Sequence, residues 1–224
     1  MQSDLQSLFK ARKSTRDFLD TPVTQSDIEA ILATASQAAS SSNMQPWQVF
    51  VLTGDTKEKL SQAAIQQAMT TPQGAGSDLP IYPNPLPEPW YSRRQACGEK
   101  LYETLEIPRD DKFGRMKQAG KNLTFFGAPV GLIFTMDRSL CESQLIDIGI
   151  FAQSIMLLAQ ERGLATCPQA SWTMWADVIR QQLSLSDNHM VVLGMALGYP
   201  SDATINSLSQ PRLTVSEFAT FKGF

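Results

Sequence analysis

The apolar positions of the chain recur at the two spacings that distinguish helices from strands. The strongest helical pattern covers 141–162 and is followed by Gly163, a residue type that commonly ends a helix. Six apolar residues share one face of this helix: Leu145, Ile148, Ala152, Ile155, Met156 and Ala159. A second helix is predicted over 25–39, and Thr24 with Asp27 has the spacing of a capping box at its start. Each helix is therefore expected to turn an apolar face toward a core.

Shorter patterns predict the other elements of the fold. Strands are predicted over 48–52, 129–136 and 189–197, and the second is almost continuously apolar, as a buried central strand should be. Further helices are predicted over 5–10, 55–69, 91–105, 110–126 and 172–183. Helices that alternate with short strands indicate a mixed β-sheet covered by helices on both faces, in one domain over 1–224.

Two segments lack a regular pattern. Pro and Gly interrupt 71–90, where aromatic and apolar residues are interleaved with them. Long loops inside compact domains are usually functional or disordered, and because these apolar residues need cover we expect an ordered lid over a substrate pocket across 71–95. The tail 201–224 also has little periodicity and ends in three phenylalanines, at positions 218, 221 and 224. We expect this tail to lie on another protein surface.

Composition narrows the class of protein. Hydrophobic residues make up 42% of the 224 residues and charged residues 18%, with a net charge of −3, so the basic footprint of a nucleic-acid-binding protein is absent. No apolar run approaches the length of a membrane span, and the first residues do not resemble a signal peptide. Three scattered cysteines suit a reducing cytoplasm and argue against a disulfide framework or zinc. We therefore expect a cytoplasmic protein without nucleic-acid, membrane or metal partners.

Two polar stretches are candidates for ligand binding. The first, 12–16, holds three cations and two hydroxyls in a connection between helices, and this density of donors favours an anion such as a phosphate. Solvated surface charge is the alternative interpretation. The second, 40–47, is rich in Ser and Asn and contains Pro46, which indicates a turn. An ordinary Ser-rich loop leading into the strand is the alternative there.

Missing residues argue against most enzyme chemistries. The one histidine, His189, enters an apolar strand, and no G-x-S-x-G motif is present, which argues against a Ser or Cys hydrolase. Gly74 and Gly76 lack the spacing and the Lys-Ser/Thr pair of a phosphate-binding loop, and they do not form a dinucleotide fingerprint. His, Cys and carboxylates do not cluster at metal-ligand spacing. Chemistry carried by an organic cofactor remains.

Together, the two polar stretches resemble the FMN-dependent nitroreductase family. The resemblance rests on two spaced motifs, Arg12-x-Ser14-x-Arg16 and Ser40-Ser41-x-Asn43-x-Gln45-Pro46-Trp47. It continues along nearly the whole chain at 128–130, 163–168, 197–200 and 211–212, and 82–94 is most similar to the nitrobenzoate-reductase type. One departure is Ala39, where the family usually has Pro.

The resemblance implies an α+β, nitroreductase-like fold and an intertwined homodimer with FMN at its interface and exchanged C-terminal tails. It also implies that Arg12, Ser14 and Arg212 hold the FMN phosphate, while Arg16 and Lys13 face the pyrimidine end of the ring. A cation at that end would stabilise the negative charge of reduced flavin and favour transfer of electrons in pairs.

The Ser-rich stretch supplies further cofactor contacts by the same resemblance. Ser40, Ser41 and Asn43 would reach FMN from the other subunit, while Gln45 and Trp47 would shape its surroundings.

A third group of positions would pass the flavin with its backbone, again by resemblance. Pro168, Gln169 and Ala170 form this group, and the N–H of Ala170 would point toward N5, the atom that carries the hydride. A backbone donor needs no particular side chain, so no catalytic acid or base is predicted.

The implied activity is reduction of nitroaromatic compounds, including nitrobenzoates, and of quinone-like acceptors by NADH or NADPH through bound FMN. The two substrates would react in alternation, in a ping-pong hydride transfer. The alternatives are another reaction on the same fold, such as reductive dehalogenation or flavin processing, and a non-catalytic carrier of flavin or another anion.

Aromatic residues of the lid and of the turn after the third group could stack on a small aromatic substrate. They are Tyr82, Trp90, Tyr91 and Trp172. Arg93 or Arg94 could then bind a benzoate carboxylate through two hydrogen bonds. Because adjacent residues at a helix start point in different directions, solvated surface charge is the alternative for both arginines.

Overall fold

Four strands form one sheet in the computed structural model, which describes residues 4–224. The strands are β1 Gln48–Leu52, β2 Val130–Asp137, β3 Ala165–Gln169 and β4 His189–Gly198, in the order β1-β2-β4-β3. All three neighbouring pairs are antiparallel, and the parallel element of the expected mixed sheet is reduced to one isolated bridge between Ser14 and Thr166. Strand direction depends on how the chain returns to the sheet, which apolar periodicity does not encode. Residues 1–3, where no signal peptide was expected, lie outside the described part.

Eight α-helices surround the sheet in residues 4–224. They are α1 Leu5–Ala11, α2 Gln25–Ala35, α3 Gly54–Thr70, α4 Trp90–Thr104, α5 Lys112–Gly120, α6 Gln144–Glu161, α7 Ala176–Leu183 and α8 Val215–Phe218. All predicted helices are present, and the hydroxyl of Thr24 caps α2 by accepting the N–H of Asp27 at 3.1 Å. Two predicted ranges include 3₁₀ turns, because α5 continues into Lys121–Gly127 and α7 is preceded by Ala170–Trp175.

The core consists of two buried clusters, one on each face of the sheet. Successive residues of a strand point to opposite faces, so Leu132 and Phe134 of β2 pack with α2 and α6, whereas Ile133 packs with α3 and α7. All residues of β2 from 130 to 136 are buried. The expected central strand is therefore confirmed, with helices on both of its faces.

The cationic stretch runs along the edge of the sheet in an extended conformation. The N–H of Thr15 donates to the carbonyl of Thr166 at 3.0 Å, and the N–H of Leu19 donates to that of Tyr199 at 2.9 Å. Thr15 is buried, while its neighbours on either side are only partly covered. Alternation along this extended segment therefore turns Ser14 and Arg16 away from the core together.

The first half of the segment 71–89 is bound to the core. The N–H of Ala75 donates to the carbonyl of Met174 at 2.6 Å. Asp78 accepts from Arg138 at 2.6 Å, from Arg180 at 2.7 Å and from the N–H of Val191 at 2.8 Å. The segment expected to form a lid is therefore anchored at its start, and its exposed part is the stretch that leads into α4. Its role as a lid stays a prediction.

The outer part of the molecule buries little in the single chain. No residue of α4 is buried, and nearly every residue from 209 onward is exposed. In the first part of the tail 201–224, Ile205 and Leu208 are buried within the single chain. The expected packing of this tail on a partner subunit stays a prediction. Within residues 4–224, no helix is both long and apolar enough to cross a membrane.

Candidate functional site

A cavity of about 700 Å³ lies between the N-terminal and C-terminal parts of the chain. Five cationic side chains line it: Lys10, Arg12, Lys13, Arg16 and Arg212. Ser14 and Cys97 also reach its wall, and none of the described lining residues is acidic. The structure thus brings together the five residues expected at the two ends of FMN, from positions about two hundred residues apart in the sequence.

Arg12 and Arg212 lie close enough for their positive charges to act on each other. Burial lowers the pKa of the Arg12 guanidinium, and the positive charge of Arg212 lowers it further. Two like charges in a partly buried cavity destabilise each other unless a negative group binds both. A phosphate dianion is such a group, because its oxygens accept the paired N–H donors of arginine.

Arg16 is held by its backbone as well as by its side chain. Its N–H donates to Oδ1 of Asn206 at 2.9 Å, and its Nη1 donates to the carbonyl of Ser14 at 3.2 Å. The Nδ2 of Asn206 donates in turn to the carbonyl of Asp17 at 2.7 Å. Asn206 was not predicted, since nothing near it in the sequence signals a partner that lies 190 residues away.

The cysteine closest to the cationic stretch is not a nucleophile. Burial raises the pKa of Cys167 to about 11, even though Arg16, Ser14 and Arg12 favour its thiolate. The thiol is therefore protonated at neutral pH.

The end of β3 places the third group of expected cofactor residues beyond the wall of the cationic cavity. The side chain of Gln169 is buried, and its Nε2 donates to the carbonyl of Asn122 at 2.8 Å. Its Oε1 has no hydrogen-bond partner within residues 4–224. Pro168 is half-buried and Ala170 is exposed. None of the three lines the cationic cavity in the described chain, so their contact with FMN stays a prediction.

The Ser-rich stretch forms a rigid turn on a different part of the surface. The N–H of Ser41 donates to both carboxylate oxygens of Asp147 at 3.2 Å. The N–H of Gln45 donates to the hydroxyl of Ser40 at 3.1 Å, and Asn43 adopts a positive φ of 57°. These residues do not line the cationic cavity of the described chain. Their expected approach to FMN from a partner subunit stays a prediction.

The expected substrate-stacking residues divide into two groups. Tyr82, Trp90 and Tyr91 are exposed, with 42% or more of each residue accessible. Trp172 is wrong as a pocket residue, because it is fully buried and stacks on Phe125 with ring centroids 4.6 Å apart. An aromatic after a turn does not reveal in sequence whether it faces outward or covers the sheet.

Arg93 and Arg94 point in different directions. The guanidinium of Arg94 lies over the ring of Tyr82, 4.4 Å from its centroid, and lines a second cavity together with Tyr91. Arg93 lies toward the tail: the pKa of Glu217 is lowered by its bonds to Thr214 and also by the charge of Arg93. Of the two arginines, Arg94 lines this second cavity, and a role of either one in binding a benzoate stays a prediction.

The chain is similar to proteins of known activity over nearly its whole length. A profile described as the nitroreductase family matches residues 9–199. A nitrobenzene nitroreductase from Ectopseudomonas oleovorans is 41% identical over 97% of this chain and 96% of the relative. A 4-nitrobenzoate reductase from Pseudomonas putida is 40% identical over 100% of this chain and 98% of that protein.

Solved structures agree with this likeness. The FMN- and NADPH-dependent nitroreductase NfnB from Sphigopyxis sp. strain HMH superposes with a TM-score of 0.96 at 37% identity, over 99% of this chain and 100% of the other. The FMN-dependent nitroreductase NfnB from Mycobacterium smegmatis, solved in complex with NADPH, gives a TM-score of 0.91 at 30% identity, over 97% of each chain. The expected α+β fold is confirmed.

Proposed function

The chain belongs to the nitroreductase family, and we propose that it is an FMN-dependent NAD(P)H oxidoreductase that reduces nitroaromatic compounds. The observation that carries this proposal is the cationic cavity, which Arg12 and Arg212 line together without an acidic residue in the described lining. Nitrobenzene and nitrobenzoates are the substrates named for its relatives, and both are flat, electron-poor rings.

The donors of the cavity fit FMN. Arg12, Ser14 and Arg212 would hold the phosphate, since two guanidinium groups and a hydroxyl match its oxygens. Arg16 and Lys13 would favour negative charge at the far end of the ring. When bound, FMN supplies two-electron transfer between a nicotinamide and the nitro compound, and the chain's own groups bind and orient.

We also propose that the protein works as a homodimer in the cytoplasm. Large apolar side chains lie exposed in the single chain on α6 and the tail: Ile146, Ile150, Phe218, Phe221 and Phe224. Extended apolar surface of this kind is typical of protein interfaces. In a dimer, the exposed turn of residues 40–45 could also reach the FMN site of the partner subunit. The three cysteines are free thiols, which suits a reducing compartment.

Rapid-mixing spectroscopy tests the proposed activity. The purified protein should be yellow, should lose flavin absorbance when mixed anaerobically with NADPH or NADH, and should regain it with nitrobenzene or 4-nitrobenzoate. Flavin that is bound but not reduced by either nicotinamide would indicate a carrier. Flavin that is reduced by a nicotinamide but not reoxidised by any nitroaromatic compound would indicate another reaction on the same fold.

A further inference from the structure

A second cavity of about 430 Å³ lies against another face of α4. The helix contributes Tyr91, Arg94, Glu99 and Tyr102, whose separations of three, eight and eleven residues keep them near one side. Arg109, from the connection to α5, and Arg115, from α5 itself, also line this cavity. Three arginines and one carboxylate give this pocket a positive balance of charge.

Aromatic rings hold two of these arginines in place. Arg94 lies over Tyr82 at 4.4 Å, and Arg115 lies over Tyr102 at 4.2 Å from the ring centroid. The Nε of Arg115 also donates to the carbonyl of Pro108 at 3.0 Å. A guanidinium stacked on a ring keeps its edge donors available and loses less freedom when it binds an anion.

The charges of the pocket are not neutralised by the protein itself. Within residues 4–224, Arg94, Arg109 and Arg115 take part in none of the ion pairs. Glu99, which lies in the same wall, is likewise absent from them. The pocket therefore offers tyrosine rings and arginines that form no ion pair within the described residues, a combination suited to an aromatic group that carries a phosphate or carboxylate.

The position of the pocket distinguishes between these two anions. α4 contributes Cys97 to the cationic cavity, and the residues of the second cavity lie on a different face of the same helix. The carboxylate of 4-nitrobenzoate is separated from its nitro group by only one ring. The 2′-phosphate of NADPH is separated from the nicotinamide by two riboses and a pyrophosphate, so it can lie in a cavity apart from the flavin.

We propose that the pocket formed by Arg94, Arg109 and Arg115 binds the 2′-phosphate of NADPH and makes the enzyme prefer NADPH to NADH. This inference rests on the proposed function, in which a nicotinamide dinucleotide is the reductant. Arg109 is the most informative residue to change, because it is neither stacked on a ring nor placed at the cationic cavity.

The kinetic test compares both nicotinamides at a fixed concentration of nitrobenzene. The unsubstituted enzyme should show a kcat/KM for NADPH at least about tenfold above that for NADH, and Arg109→Ala and Arg94→Ala should each lower this ratio about tenfold. Glu99→Gln should raise it, because the variant removes a repelling charge. Arg93→Ala is the matched control, because Arg93 is next to Arg94 in sequence but its side chain lies toward the tail. This variant should keep the ratio of the two kcat/KM values.

A binding measurement separates this inference from the proposed activity. Calorimetric titration of the FMN-loaded protein with adenosine 2′-monophosphate should show saturable binding that adenosine lacks and that Arg109→Ala weakens about tenfold. Absence of this binding, or equal use of NADPH and NADH by the unsubstituted enzyme, would overturn the proposal even if nitroaromatics are reduced. Selective loss of 4-nitrobenzoate over nitrobenzene in Arg94→Ala and Arg109→Ala, with the nicotinamide ratio intact, would overturn it in favour of a carboxylate site.

Discussion

The central sheet and the outer helix α4 differ in how much of each is buried within the single chain. β2 is buried from 130 to 136 between two clusters of side chains, whereas none of the fifteen residues of α4 is buried. The cationic cavity lies where these two regions meet, lined by the edge segment 12–16, by Cys97 of α4 and by Arg212 of the tail. The sheet is stable through its own packing, while the outer part leaves most of its side chains exposed in the single chain.

The largest expected effect distinguishes the sheet from the tail. Phe134→Ala removes a fully buried ring that packs near Phe151, with centroids 6.2 Å apart, and should lower the free energy of unfolding by about 3 to 5 kcal/mol. Phe221→Ala removes an exposed ring and should change the free energy of unfolding by less than about 0.5 kcal/mol. Urea unfolding followed by tryptophan fluorescence measures both, at a protein concentration low enough that both variants are monomeric. Similar losses in both variants would show that the two regions are not energetically distinct.

A somewhat smaller effect is expected where the lid is tied to the core. Asp78→Asn weakens bonds to Arg138 and Arg180 at a carboxylate whose side chain is only 5% exposed, and it should cost about 3 kcal/mol of unfolding free energy. Asp177→Asn is the matched control, because Asp177 pairs with the same Arg180 from a side chain that is 61% exposed. The control should cost about 1 kcal/mol or less.

The same aspartate predicts a pH dependence. Burial opposes the charge of Asp78, but its bonds to Arg138, the N–H of Val191 and Arg180 together outweigh burial, so its pKa is lowered. Because the pKa is lowered in the folded state, the stability that charged Asp78 contributes is fully present above its unfolded pKa of about 3.9. This stability is lost as the pH falls through the folded pKa. The difference in stability between the unsubstituted protein and Asp78→Asn should therefore shrink below about pH 4. A difference that stays constant from pH 7 to pH 3 would assign another role to Asp78.

The tail should matter for association although it adds little to the stability of one chain. If Phe218 and Phe221 are buried against a partner, Phe221→Ala should weaken the dimer by about 1.5 to 3 kcal/mol, or at least tenfold in its dissociation constant. Sedimentation over a range of concentrations measures this constant, with Lys222→Ala as the neighbouring control. An unchanged constant in Phe221→Ala would place the dimer contact elsewhere.

The sequence predicted most of the inner region and less of the outer one. The period of Ile148, Ala152 and Ile155 located α6, and the apolar run of β2 identified a central strand, because burial leaves a direct trace in residue type. The sequence did not reveal that Trp172 covers the sheet. Gly194 lies under that ring so closely that an added Cβ would be 2.1 Å from it, and such complementarity exists only in the folded chain.

The candidate site was likewise predicted only in part from the sequence. The cationic cavity could be predicted because Arg12, Ser14 and Arg16 are close in sequence and resemble a family motif. The roles of Arg109 and Arg115 could not, since the packing of α4 against the connection to α5 brings them to Arg94. Isolated arginines in a polar stretch of sequence do not differ from solvated surface charge.

Titration of the flavin-free protein with FMN, followed by flavin fluorescence, tests the central claim most directly. The account predicts one FMN per chain, and binding about 10- to 100-fold weaker in Arg12→Ala and in Arg212→Ala, because each variant removes charge-assisted bonds to the phosphate. Arg162→Ala, an exposed arginine that is absent from the cavity wall, should bind FMN as the unsubstituted protein does. Failure to bind FMN, or an affinity in the Arg12→Ala and Arg212→Ala variants equal to that of the unsubstituted protein, would contradict the assignment of this cavity.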